Sequence, residues 1–476
     1  MESFDLVVVG GGPAGYVGAI RGAQLGLRTA LVERDKVGGT CLHVGCIPTK
    51  VLLHTAQMLE DVRGASEFGI AVDGARLDLP QLRRRLDRVV TTNFRGVEYL
   101  MRKHGITVLA GGGRLLDPTH VRVTAADGTT NDVQAGAILL ATGSRPRSLP
   151  GVTIDNERVL DSTGALRLAQ VPGSIAIIGC GAVGTEFASV FSAFGAKVTL
   201  LEYLPSILPL EDEEVATVLA KALGRRGVTI RTGTAVTGVR SDAGGVHLTL
   251  RAGDARASRG LVPEGGDAEE TLDADYALVA VGRAPVTDGL GLESVGLAVE
   301  GGALPVDARM RTSVQTIYAA GDMIGGLLLA HVASAEATVA VEAIAGQSPA
   351  ALDPLLMPRA TYSIPQVASV GLTEKQAREG GRDVTVGRFQ FMANARATIL
   401  NHREGLVKIV ADRELGEILG VHLVGPEVTE LLPEAVLGRS LEATALEIGQ
   451  AVHAHPTLSE AMREAALGAL GRAVHG

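Results

Sequence analysis

Two cysteines, Cys41 and Cys46, lie five positions apart in the run Gly38-Gly39-Thr40-Cys41-Leu42-His43-Val44-Gly45-Cys46-Ile47-Pro48-Thr49-Lys50. The whole chain of 476 residues has one other cysteine, Cys180. A loop this short can close a disulfide where the backbone is shaped for it. Glycines precede the pair, and the segment Val51 to Leu59 has a helical pattern, so the cysteines sit at a helix N-terminus. The partial positive charge there favours thiolate over thiol. Such a pair can alternate between disulfide and dithiol. Three other readings stay open on these residues: metal ligation with His43, two inert buried thiols, and a structural bridge. No second ligand pair at zinc spacing accompanies the first of these.

A redox pair needs a group that accepts protons. His455 and Glu460, in Ala454-His455-Pro456-Thr457-Leu458-Ser459-Glu460, have the types for it. Imidazole acts as acid and base, and a carboxylate orients it. The competing reading makes Glu460 the acid of a capping box that opens at Thr457.

A redox pair also needs an electron acceptor, and the chain contains one binding unit twice. Asp5 to Val9 reads as a buried strand, Gly10-Gly11-Gly12-Pro13-Ala14-Gly15 as a turn, and the stretch to Leu25 as a small-residue helix. A second strand from Arg28 to Val32 ends at Glu33. In this pattern one glycine permits the turn, one admits a pyrophosphate, and one lets helix meet strand. The phosphates rest on the helix N-terminus, and the acid accepts from ribose hydroxyls. The pattern returns 169 positions later, where Gly179, Gly181, Gly184 and Glu202 match Gly10, Gly12, Gly15 and Glu33 without a gap. Two dinucleotides are therefore expected. Glu202 repels a 2′-phosphate and no arginine follows it, which favours NAD over NADP at the second turn. The Ala141-Thr142-Gly143 turn closes a further strand and can approach the first cofactor. Asp322, in Tyr318-Ala319-Ala320-Gly321-Asp322, could bind a cofactor's hydroxyl chain or merely cap a helix. The helix expected from Ala330 would point its positive end at a reduced ring.

Composition sets outer bounds. Hydrophobic residues make up 46% and charged residues 20%, which places the chain among folded globular proteins. Net charge of −9, no tryptophan and 3% aromatics argue against a nucleic-acid surface. No apolar run reaches the roughly 18 residues of a membrane span. Met1 to Asp5 carry no basic stretch, so no secretion signal is expected and the cytoplasm is the expected compartment. Linker signals near 150 and texture changes near 280 and 350 divide the chain into 1–150, 151–280, 281–350 and 351–476. The last part reads as antiparallel α+β. The polar stretch from Arg251 to Glu270 reads as an exposed hairpin extension or loop.

These motifs together resemble the flavin-dependent pyridine nucleotide–disulfide oxidoreductases over nearly the whole chain. The carriers are GGGPAGY at 10–16, GGTCLHVGCIPTK at 38–50, ATGSRP at 141–146, GCGAVGTE at 179–186, VGRAP at 281–285, YAAGD at 318–322, LAHVASAE at 329–336 and HAHPTLSE at 453–460. The resemblance implies an α/β fold with two Rossmann-like domains and a C-terminal α+β dimerisation domain. It implies FAD on the first unit, with Gly10, Gly12, Gly15, Glu33, Thr40, Lys50, Ala141, Thr142, Gly143, Asp322, Ala330 and His331. It implies NAD on the second, with Gly179, Gly181, Gly184, Glu186, Glu202, Gly282 and Arg283. No metal is implied. Cys41 is then the interchange thiol and Cys46 the thiol beside the flavin. Lys50 lies near flavin N5 and pairs with Glu186. His455 takes the substrate proton, oriented by Glu460, in a homodimer whose histidine serves the other subunit's cysteines.

Within the family the chain is most similar to the branch that oxidises dihydrolipoyl groups with NAD+. The implied partner is the lipoyl domain of a 2-oxo acid dehydrogenase complex or a glycine-cleavage carrier. The alternative is a reductase of another small disulfide or of a quinone, using NAD(P)H. His43 stands where the family usually has asparagine, which points to tuning of the pair.

Overall fold

The computed structural model describes residues 1–252 and 269–475. These form two compact units. The first takes Met1–Val51, Arg83–Arg147 and Gly282–Leu352; the second takes Leu52–Leu82, Ser148–Val281 and the chain from Asp353 onward. The chain changes unit at 51, 82, 147, 281 and 352. The nucleotide lobe of the second unit and the C-terminal sheet form one compact body, and the stretch from Leu52 to Leu82 belongs with them.

In the first unit, β1 (Glu2–Val9) is buried from Leu6 to Val9, because a parallel strand is covered on both faces. It pairs in parallel with β2 (Thr29–Glu33) and with the strand Thr130–Leu140. The seven-stranded sheet runs 107–110, 29–33, 2–9, 130–140, 120–124, 112–117, with 317–319 also beside 130–140. The helix α1 (Pro13–Gln24) joins β1 to β2 and lies on the sheet through its small residues. A Cβ on Gly18 would meet Leu139 at 2.8 Å, and one on Gly22 would meet Leu6 at 2.7 Å.

Two helices carry the cysteines. α2 (Gly39–Val44) contains Cys41, and α3 (Cys46–Arg63) opens with Cys46 itself. The apolar pattern marks this second helix only from Val51. The structure starts it five residues earlier because Pro48 fits a first turn, where its missing N–H has no partner to lose.

The second unit holds three sheets. Five parallel strands run 229–231, 197–201, 174–178, 276–279, 159–160. A three-stranded antiparallel sheet follows (234–242, 245–252, 269–274), which the sequence reading does not anticipate. Residues 253–268 of the expected hairpin extension lie outside the described residues; Arg251, Ala252, Glu269 and Glu270 are strand ends. The third sheet is antiparallel, in the order 359–361, 366–371, 418–425, 406–412, 384–390, with helices Val428–Ser440, Ala445–Gln450 and Glu460–Ala469. One apolar core joins Phe187, Leu200 and Leu219 of the nucleotide lobe to Val367, Leu406 and Val424 of this sheet. Among the described residues no helix is long and apolar enough to cross a membrane.

Candidate active site

The two glycine turns share one geometry. Gly10 has φ +107° and Gly179 has φ +100°, values that L side chains rarely adopt. A Cβ on Gly15 would lie 1.7 Å from the Gly10 carbonyl oxygen, and one on Gly184 would lie 1.9 Å from that of Gly179. At the middle glycines the result is opposite. A Cβ on Gly12 or Gly181 would meet no protein atom within 4 Å. Both open positions cap a helix that has no side-chain cap of its own. Backbone N–H groups there are left for an anion, so the residues fit a pyrophosphate at each turn.

The acids match as well. Glu33 takes the Gly11 N–H at 2.6 Å and the Asp35 N–H at 2.8 Å. Glu202 takes the Cys180 N–H at 2.7 Å and the Leu204 N–H at 2.9 Å. Each acid therefore braces its own turn from the end of the second strand. Cys180 is buried, and its thiol is pushed up first by burial and then by the Glu202 charge. Glu186 is buried on the helix Ala182–Phe194 and accepts the Tyr362 N–H at 2.9 Å.

The redox segment is built against the first turn. The Gly38 N–H donates to the Gly11 carbonyl at 2.7 Å, and a Cβ on Gly39 would lie 2.7 Å from the Gly12 Cα. Only glycines allow this approach, and it brings α2 beside the open cofactor position. Thr40 is exposed on the first turn of α2. Cys41 and Cys46 are present as two thiols. The Cys41 thiol is held well above its ordinary range, first by its hydrogen bond to the Cys46 side chain, then by burial and the Cys46 charge; Lys50 opposes this. The sequence reading gives both sulfurs a thiolate preference from one helix. The structure places them on two helices: Cys46 is the first residue of α3, and Cys41 is the third residue of α2. Lys50 follows Cys46 by four positions, one turn along α3. Tyr16 is a residue the reading passed over. Burial and then the Cys41 charge raise its hydroxyl. His43 turns Nε2 to the Val37 carbonyl at 2.9 Å and its ring edge to Phe94, 5.3 Å between centroids.

Thr142 donates to the Val286 carbonyl at 2.6 Å, the Ala141 N–H donates to Val9 at 2.8 Å, and Gly143 has φ +73°. Asp322 opens a short 3-10 turn rather than the long helix, and accepts from the Ser144 hydroxyl. Gly282 and Arg283 belong to this first unit. Arg283 Nε donates to Ser144 Oγ at 2.7 Å and lies 3.7 Å from Asp322. The structure thus gathers Arg283 with Ser144 and Asp322, whereas the resemblance groups it with NAD. Ala330 is the first residue of the helix Ala330–Ile344, and His331 beside it is exposed. Glu336, one more residue without a role in the sequence reading, accepts the Gly321 N–H at 2.8 Å. Burial raises its carboxyl to about 7; the Gly321 bond opposes this and the Asp322 charge adds to it.

In the second unit, His455 Nδ1 pairs with Glu460 Oε1 at 2.9 Å, and Glu460 Oε2 takes the Thr457 N–H at 2.8 Å. The Thr457 contact is half of the expected capping box, but the helix itself opens at Ser459 with no side-chain cap, so the box is not formed. Burial acts to raise Glu460, but the Thr457 and His455 bonds outweigh it and hold the acid below its usual range. The His455 side chain is 74% exposed, so the imidazole is presented outward.

Comparison with known proteins decides the family. Residues 4–337 match the model described as pyridine nucleotide-disulphide oxidoreductase, and residues 357–466 match that family's dimerisation domain. The chain belongs to the pyridine nucleotide-disulphide oxidoreductases. The expected resemblance is thereby established, and with it the flavoprotein disulfide oxidoreductase class and the cofactors FAD and NAD. Among family members, the chain is 43% identical to dihydrolipoyl dehydrogenase of Bacillus subtilis over 480 residues, covering 99% of each. It is 44% identical to dihydrolipoyl dehydrogenase 3 of Pseudomonas aeruginosa over 477 residues, covering 100% of this chain and 99% of the other. The solved structure of LpdA from Mycobacterium tuberculosis matches with TM-score 0.89 at 29% identity, over 98% of this chain and 99% of that one.

Proposed function

We propose that this oxidoreductase oxidises protein-bound dihydrolipoyl groups to the cyclic disulfide, with NAD+ as final acceptor. The observation that carries the reading is the pair of adjacent thiols held against the first glycine turn; the full-length similarity to dihydrolipoyl dehydrogenases supports the substrate class. In the oxidised enzyme Cys41 and Cys46 form one disulfide. A dihydrolipoyl thiol loses its proton to His455 and attacks Cys41, breaking the enzyme's S–S bond and releasing the Cys46 thiolate. The second substrate thiol then attacks the mixed disulfide and releases Cys41, giving lipoyl disulfide and an enzyme dithiol. Cys46 is the better thiolate because α3 points its positive end at it. His455 also exchanges a proton with Cys41 as that sulfur is released from the mixed disulfide.

Glu460 fixes the imidazole tautomer by accepting a hydrogen bond from Nδ1–H, which leaves Nε2 to carry substrate protons. Gly10, Gly12, Gly15, Glu33, Thr40, Lys50, Ala141, Thr142, Gly143, Asp322, Ala330 and His331 would hold FAD, and Gly179, Gly181, Gly184, Glu186, Glu202, Gly282 and Arg283 would hold NAD. Bound FAD and NAD+ supply the onward two-electron transfer. Self-association through 357–466 would bring His455 of one subunit to the cysteines of the other, in the cytoplasm, with a lipoyl carrier domain as partner.

The test replaces Cys46 by Ser and measures NADH formation from dihydrolipoamide. Loss of turnover with FAD retained supports the reading; full turnover contradicts it. Rates with glutathione disulfide, a quinone and NADPH above those with lipoamide and NADH would move the assignment to another substrate.

A further inference from the structure

The segment that presents His455 has one inward anchor. Of residues 451–456, Ala451, Val452, Ala454, His455 and Pro456 are exposed, Val452 to 98%. His453 alone is turned in, with 8% of its side chain exposed. Its Nε2 lies 3.0 Å and 3.2 Å from the two oxygens of Glu434, in the middle of the helix Val428–Ser440. Its Nδ1 lies 3.0 Å from the carbonyl of Ala451, which ends the helix Ala445–Gln450. Each ring nitrogen therefore faces an acceptor, one a carbonyl and the other a carboxylate. His453 therefore ties two helices to the residue two positions before His455. The Glu460 bonds fix the other end of the segment.

We propose that His453 and Glu434 form a positioning clamp for the proton-carrying His455. The proposal rests on the reading of His455 as acid and base. The clamp touches no substrate. It acts by holding residues 451–454 so that the His455 ring stands where thiol protons arrive. A displacement of about 1 Å at such a group can cost on the order of 100-fold in rate.

The experiment uses the FAD-loaded full chain. His453→Ala and Glu434→Ala are each expected to lower kcat for dihydrolipoamide oxidation by roughly tenfold to 100-fold. The KM for NAD+ stays within twofold, and so does the rate of ferricyanide reduction by NADH, which bypasses the thiols. Glu434→Gln, which keeps an acceptor for Nε2, recovers most of the loss. The double alanine variant falls no further than either single one, because both remove one interaction. Wild-type kcat in both single variants overturns the clamp. A parallel fall in ferricyanide reduction also overturns it, since that would be a general loss of structure. If His453→Ala does not fold, Glu434→Ala decides. His455→Gln is run beside them. If that variant keeps full lipoamide turnover, the acid–base reading fails and the clamp fails with it. If it loses turnover while the clamp variants keep theirs, only the clamp fails.

Discussion

Gly181 and Gly184 stand three residues apart in one turn, and the same added methyl group should act on them through different physics. At Gly181 the backbone has φ −71° and ψ −173°, which alanine adopts without strain, and the new Cβ meets no protein atom within 4 Å. The folded chain loses little. The methyl group does occupy the space a pyrophosphate needs beside the helix N-terminus. Forcing one methyl group into a filled contact costs about 1–3 kcal/mol. That converts to a rise in the KM for NAD+ of roughly fivefold to 150-fold. FAD content and the thermal midpoint should stay at wild-type values. At Gly184 the Cβ would lie 1.9 Å from the Gly179 carbonyl oxygen, so helix and strand must separate. Gly184→Ala should then lower the thermal midpoint or the soluble yield before any effect on KM is readable. Steady-state kinetics with varied NAD+, with circular dichroism melting of both variants, separates the two. A Gly181→Ala enzyme with unchanged KM would refute the placement of the dinucleotide at this turn.

Three further outcomes are expected. Lys408 is 2% exposed and its ammonium bonds Asp212 at 2.9 Å, Glu214 at 2.7 Å and Glu374 at 2.9 Å. Lys408→Met strands Asp212, itself buried, and should cost about 3–5 kcal/mol, read as unfolding at lower urea concentration. Glu336 has its folded carboxyl raised, so between about pH 4.5 and 7 the folded chain binds more protons than the unfolded one. This contribution to stability is complete below the unfolded value and lost as pH rises through about 7. Glu336→Gln should therefore flatten the fall in melting temperature between about pH 4.5 and pH 7; an unchanged slope would contradict it. Glu202→Ala removes the acceptor for the Cys180 and Leu204 N–H groups as well as the repulsion of a 2′-phosphate. It should raise the KM for NAD+ and narrow the preference over NADP+, measured as the ratio of kcat/KM values.

What was legible in the residues is what local rules constrain. The glycine turns follow from backbone sterics, so Gly10, Gly15, Gly179 and Gly184 announce themselves, and the acids follow at a fixed distance. The cysteine pair is visible because its chemistry needs short spacing. The start of α3 is hidden because Cys46-Ile47-Pro48-Thr49-Lys50 has no apolar stripe, although proline in a first turn marks a helix start. The sheet 234–274 is hard to see although His247-Leu248-Thr249-Leu250 alternates, because its outer strand, Glu269–Ala274, starts within the polar stretch that reads as a hairpin extension or loop. Long-range partners leave no local mark. The Arg283 contact to Ser144 spans 139 positions and the His453 contact to Glu434 spans 19. Neither partner of the second pair belongs to a motif that requires the other.

The most direct measurement counts sulfurs. The air-oxidised, FAD-loaded enzyme is alkylated under denaturing conditions before and after anaerobic addition of dihydrolipoamide, and the labelled peptides are mapped. Label should be absent from Cys41 and Cys46 before the substrate and present on both after it, with Cys180 labelled in each case. Equal labelling of Cys41 and Cys46 in the two samples would contradict a disulfide that opens and closes with the substrate.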